Sequence, residues 1–207
     1  MTTLFYSPGA CSLAPHIVLE WIGAPYEAVR VELGSDAYKE INPTGAVPAL
    51  REEDGWTLTQ AGAILEYLAA KYPEAGLGGA PDLRAQAELH RWSSFFTSDM
   101  HAAFWPIFSP ARYTTDSSDA ALATAAEAGV ALVRKQLAFL DAHMAGREWI
   151  LDGGLSVIDA YAFPMLRWAV AKVPGGLKDY PNVKALMDRL AADPVVQKVL
   201  ADEMAGG

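Results

Sequence analysis

The stretch from Pro73 to Pro81 reads PEAGLGGAP, and the periodicity of the chain differs on its two sides. A segment this rich in Gly, Pro and Ala neither sustains a helix nor pairs as a strand, so it reads as a linker. Before it, short strands and helices alternate. Thr3 to Ser7 is a strand candidate broken by Pro8-Gly9, and Leu13, Ile17, Val18 and Trp21 then recur at helical spacing up to Gly23-Ala24-Pro25. Tyr26 to Leu33 alternates as a second strand, with Ala28, Arg30 and Glu32 opposite Val29, Val31 and Leu33. Gly34 to Ile41 reads as a short helix or turn. Val47 to Arg51 and Trp56 to Thr59 bracket Glu53-Asp54-Gly55 as a hairpin, and Ala63 to Tyr72 is an amphipathic helix. The order is βαβ, then ββα.

After the linker every pattern is helical. Leu83 to Phe108, Ala120 to Met144, Val157 to Val173, Tyr180 to Ala192 and Pro194 to Met204 are the predicted helices. Ser156-Val-Ile-Asp159 opens the third as a capping box, in which the hydroxyl accepts from first-turn amides and the carboxylate reaches back. The predicted organisation is an α/β domain over residues 1–73, a linker over 74–81 and an all-helical domain over 82–207.

Charge and cysteine content narrow the functions such a chain can serve. A net charge of −9, with Lys and Arg scattered, opposes binding to nucleic acid or to anionic membrane surfaces, which both need basic patches. The chain holds no apolar run long enough to cross a bilayer, and its first residues, MTTLFY, carry neither a basic region nor a signal core. A cytoplasmic location is expected. One cysteine excludes a disulfide within the chain and any multi-cysteine metal site. His16, His90 and His143 fall on different predicted helices, so a zinc site with Cys11 is not expected.

That cysteine lies in Pro8-Gly9-Ala10-Cys11-Ser12, between the first strand and the first helix, with Ser12 as a possible N-cap. Unpaired amides and the helix dipole there favour a thiolate and a lowered thiol pKa, although the position also suits a small buried cysteine. Asn42-Pro-Thr-Gly-Ala-Val-Pro-Ala-Leu50 places Pro48 at the start of a strand. Val47 could then offer its backbone to an extended ligand, or the proline could simply mark an edge strand. Thr59-Gln60-Ala61-Gly62 ends the next strand and opens a helix, where amides attract a carboxylate and where a plain tight turn fits equally well. Ser94, Thr97 and His101 fall at spacings of three and four as one polar stripe, with Trp92, Phe95, Phe96 and Met100 on the buried side.

Four motifs in order carry a resemblance. FYSPGACSLAPHI (Phe5 to Ile17), INPTGAVPAL (Ile41 to Leu50), LTQAGAILEYLA (Leu58 to Ala69) and SVIDAY (Ser156 to Tyr161) make the chain similar to bacterial beta-class glutathione transferases along nearly its whole length. That resemblance implies a thioredoxin-like α/β domain followed by an all-α domain, a homodimer, glutathione as co-substrate and no metal. It implies that Cys11 meets the glutathione sulfur and that His101, on the first helix of the second domain, faces it. Val47 and Pro48, joined by a cis bond, would present backbone to the cysteinyl part of glutathione. Gln60 and Ala61 would hold the γ-glutamyl end, with Ser12 nearby and Asp99 lent across the dimer to the glutathione amine. Alanine at 61 offers an amide but no hydroxyl. The basic residue that members often place after the second strand has Lys39 as its nearest counterpart, and Ser94 stands where some members have asparagine. Ser12 and Tyr6 are alternative thiol-activating hydroxyls, and Trp105, Phe108 and Trp168 could line an apolar substrate pocket. The implied chemistry is conjugation of glutathione to small electrophiles, or its exchange with disulfides through Cys11. A non-enzymatic ligand- or partner-binding protein on the same fold is the alternative.

Overall fold

A computed structural model describes residues 1–205 of the 207-residue chain. The first half forms a four-stranded sheet in the order β2-β1-β3-β4, from β1 (Thr2–Tyr6), β2 (Tyr26–Arg30), β3 (Ala49–Arg51) and β4 (Thr57–Thr59). β2 pairs parallel to β1, while β3 and β4 run antiparallel to their neighbours. Parallel pairing needs a crossover, and helix α1 (Leu13–Ile22) supplies it. Gly23 ends α1 in the left-handed conformation that a residue without Cβ adopts at no steric cost. Helix α2 (Asp36–Lys39) precedes β3, and α3 (Ala61–Lys71) follows β4.

The predicted second strand was too long. β2 stops at Arg30, and Leu33 is 53% exposed, so the apolar alternation beyond Val31 has no sheet face to fill. The remaining elements begin and end within two residues of their predicted bounds. The residues between α3 and the next helix contain one 3-10 turn, Pro73–Ala75. Helix α4 (Leu83–Ser94) runs through a π-helical turn, Phe95–Met100, into α5 (His101–Phe108). Then come α6 (Asp119–Met144), α7 (Val157–Lys172), α8 (Pro181–Ala192) and α9 (Pro194–Ala205). No helix among the described residues is long and apolar enough to cross a membrane.

Alternation along β1 sends Leu4 and Tyr6 to one face and Phe5 to the other. On Leu4's side, α1 and α3 join a continuous apolar core that extends through Trp92, Phe96, Phe104, Leu137, Tyr161 and Val199 of the helical half. On Phe5's side a small cluster with Tyr38 and Ala49 closes under α2. The two halves therefore share one core. Their seam is tight at Gly62 in the first turn of α3, where an added Cβ would lie 2.9 Å from Thr97 Oγ1 and 3.1 Å from Ser93 Oγ. α7 runs through this seam, and its capping box is complete: Ser156 Oγ accepts from Ile158 N at 3.2 Å, and Asp159 Oδ2 accepts from Ser156 N at 2.9 Å.

Candidate functional site

Pro8 and Gly9 turn the chain out of β1, so that Cys11 arrives beside the loop preceding β3. There its thiol donates to the Val47 carbonyl at 3.4 Å, and the Val47–Pro48 peptide bond is cis. Two of the predicted site segments thus meet. Among the described residues no protein hydrogen bond takes up the Val47 N–H, which leaves a strand-like donor at the sheet margin.

The expectation of a low thiol pKa is not met. Cys11 is 8% exposed, and burial pushes its thiol up to about 12. The amides of Cys11 and Ser12 pull the other way, yet enclosing a sulfur anion costs more than they return. Ser12 also departs from its expected role. It occupies the N-cap position without a side-chain cap, is fully buried, and uses its hydroxyl to accept from Ser7 N and donate to Ser7 O, both at 3.2 Å. That hydroxyl closes the β1–α1 loop on itself and is not free for a ligand. Tyr6 is no activated hydroxyl either: burial first, then the nearby Glu203, raises its pKa.

At the far side of β4, Gln60 takes φ 74°, a left-handed conformation that non-glycine residues rarely adopt. The turn sends its side chain to solvent and starts α3, whose first backbone bond runs from Ile64 N to Gln60 O at 3.0 Å. The amides of Ala61, Gly62 and Ala63 precede that bond and have no intrahelical acceptor.

His101 begins α5 with its ring stacked on Trp105 (centroids 5.7 Å apart, planes at 9°) and 5.1 Å from the ring of Trp168. Burial pulls its pKa down to about 4, so the imidazole is neutral at pH 7. Phe108 meets Trp168 edge-on at 5.2 Å, so of the three aromatics expected to line a pocket Trp105 and Trp168 adjoin the histidine and Phe108 joins the group through Trp168. Trp168 Nε1 donates to the Gly9 carbonyl at 2.8 Å and ties this aromatic group to the Cys11 loop. The polar stripe through Ser94, Thr97 and His101 does not form as such. The π turn inserts an extra residue per turn, and Thr97 instead donates to Ser93 O and approaches the Tyr161 hydroxyl. The buried side is as expected, with Trp92, Phe95, Phe96 and Met100 in the core. Asp99 is exposed and accepts from the Ser98 hydroxyl, and Lys39 pairs with Asp36.

Sequence reasoning missed Glu203. Its carboxylate lies in α9, 2% exposed, accepting from Gly9 N at 3.3 Å and meeting His16 Nδ1 at 3.1 Å. The only sequence signal was an acid on the apolar side of the last helix. His90 pairs with Glu66, and His143 meets the Ile150 carbonyl, so the histidines lie apart. No cluster of three His, Cys, Asp or Glu able to hold a metal occurs among the described residues.

Residues 11–76 match the family model for the glutathione S-transferase N-terminal domain, and residues 96–194 match that for the C-terminal domain. A glutathione S-transferase of Xanthomonas campestris is 39% identical over 97% of this chain and 98% of its own length. The chain belongs to the glutathione S-transferase family. Among solved structures, the bacterial beta-class glutathione S-transferase of Sphingomonas chungbukensis is 38% identical, with a TM-score of 0.86 over 97% of this chain and 98% of that one. A sphingomonad glutathione S-transferase complexed with glutathione is also 38% identical, with a TM-score of 0.86 and 98% of both chains covered. This protein is accordingly a transferase of thioredoxin-like plus all-α architecture, like those bacterial relatives.

Proposed function

We propose that the protein binds glutathione in the unit formed by residues 1–73, joined through 74–81 to the helical unit 82–207, and conjugates it to small electrophiles. The free Val47 N–H beside the cis bond supports an extended peptide lying antiparallel to this segment. The open amides at Ala61 and Gly62, turned out by Gln60, suit the γ-glutamyl carboxylate. The glutathione sulfur then lies over the Cys11 loop, where neutral His101 forms a hydrogen bond with it. Trp105, Phe108 and Trp168 form the wall on which an apolar electrophile rests. Relatives solved with glutathione support the ligand's identity. In a homodimer the exposed Asp99 would meet the amine of the neighbouring glutathione, and sedimentation as a monomer at micromolar concentration would remove that element.

The observation that selects conjugation over disulfide exchange is the enclosure of Cys11. A thiol held protonated, with its hydrogen on the Val47 carbonyl, is a poor nucleophile. The test pairs two measurements on wild type and Cys11→Ala. Conjugation to 1-chloro-2,4-dinitrobenzene should survive the substitution within about tenfold. Intact mass after incubation with oxidised glutathione should show no adduct on native wild type and one after denaturation. An adduct on the native protein, together with loss of turnover in the variant, would make Cys11 the nucleophile instead.

A further inference from the structure

The aromatic wall beside the Cys11 loop carries a cation that conjugation as described does not use. Helix α5 ends at Phe108, Ser109 leaves the helical conformation at φ −146° and ψ 63°, and the 3-10 turn Pro110–Arg112 folds the chain back. That turn sets the Arg112 guanidinium 4.8 Å from the ring centre of Trp105. Trp105 stacks on His101, His101 adjoins Trp168, and Trp168 bonds the Gly9 carbonyl. A chain of contacts therefore runs from the loop that holds Cys11 to the guanidinium.

Arg112 is exposed, and among the described residues no carboxylate lies within ion-pairing distance of it. Arg91, Arg147 and Arg189 of the same helical half each pair with an acid; among the described residues Arg84, Arg134 and Arg167 do not. Of these Arg167 also lies over a ring, that of Phe163 at 5.9 Å, so what sets Arg112 apart is its place beside the aromatic group at the Cys11 loop. An indole face orients a guanidinium without neutralising it. In a chain of net charge −9, this places a positive group at the edge of an aromatic cluster whose rings meet at steep angles around Trp168. An arginine so held presents a planar fork of donors that matches a carboxylate in two-point geometry, which a lysine does not reproduce.

We infer that the site selects aromatic electrophiles bearing a carboxylate, with the ring on Trp105, Phe108 and Trp168 and the carboxylate on Arg112. This rests on the conjugation reading and names its substrate class. For an aryl halide the step balances simply. The glutathione thiolate adds to the ring carbon carrying the halogen, the C–S bond forms, the carbon–halogen bond breaks, and halide leaves with the bonding pair. The thiol proton passes to solvent. The carboxylate takes no part in bond making, so Arg112 is a specificity residue.

The experiment compares 4-chloro-3-nitrobenzoate with 4-chloro-3-nitrobenzamide as electrophiles for wild type, Arg112→Gln and Arg112→Lys. Each kcat/KM is divided by the uncatalysed rate with glutathione. In parallel, tryptophan quenching gives the Kd of glutathione and of the two S-aryl conjugates. Wild type should favour the acid over the amide by about tenfold, the amount one charge-assisted contact supplies. The preference should fall to near parity in Arg112→Gln, be partly kept in Arg112→Lys, and shrink between about 0.05 and about 0.5 M salt. A preference that survives Arg112→Gln, or none in wild type, overturns the assignment while glutathione binding leaves the conjugation reading standing. Failure to bind glutathione itself overturns both.

Discussion

At Cys11 two effects of opposite sign act on one sulfur atom. Its amide neighbours favour a thiolate, and that much was legible in the strand-to-helix position of the residue. Burial opposes them, and burial is contributed by segments distant in sequence, such as the Val47 loop. With the thiol pushed up to about 12, native Cys11 should react with iodoacetamide at pH 7.5 about a thousandfold more slowly than an ordinary cysteine. Its rate should still climb tenfold per pH unit between about pH 8 and pH 10, where a free thiol begins to level off. A plateau at or below neutral pH would show the amides winning. Ser12 carries the same lesson. The sequence placed it next to a helix start, but only the folded loop shows that Ser7 has already claimed both sides of its hydroxyl.

At the scale of elements, helix α7 was readable from SVIDAY because a capping box spans four residues. Its carboxylate accepts three hydrogen bonds, from Ile150 N, Ser156 N and Ser156 Oγ. Complete burial nevertheless pushes the Asp159 pKa up to about 6, and the donors only moderate the rise. Between about pH 4 and about pH 6 the native state thus holds a proton that the unfolded chain has lost. The contribution of this group to stability is present in full below the unfolded pKa and falls as pH rises through 6. Asp159→Asn cannot titrate, so the stability gap between wild type and variant should be larger at pH 4 than at pH 7, by about 2–3 kcal/mol. Urea unfolding at both pH values measures it, and a gap that does not change would mean the native carboxylate is ionised. The helix from Leu83 to Phe108 was less legible. Its length and buried side followed from periodicity, but the π turn over Phe95–Met100 breaks the 3.6-residue count that placed Thr97 and His101 on one stripe.

For the whole molecule, the first loop and the last helix are joined through one buried carboxylate. Glu203 accepts from Gly9 N and meets His16, and Trp168 holds the Gly9 carbonyl from the other side. The helical half therefore fixes the loop that carries Cys11. Glu203→Ala leaves a buried histidine and a backbone amide without partners, and should cost about 3–5 kcal/mol in urea unfolding at pH 7. A loss below about 1 kcal/mol would show that water replaces the carboxylate at no penalty. Because one core spans both halves, unfolding should remain a single transition in wild type and variant alike.

The sequence by itself determined what local physics controls. Hydrophobic period set the order of strands and helices, Gly and Pro set the breaks, and short-range capping set the start of α7. Four compact motifs were enough to point to the family. The tertiary structure alone decided the environment of each reacting group. Gly9 and Glu203 are 194 positions apart, and no periodicity within a window of residues links them. The protonation of Cys11, the neutrality of His101 and the unpaired charge of Arg112 likewise depend on what packs around them. Desolvation and long-range pairing are summed over neighbours in space, and only the folded chain brings those neighbours together.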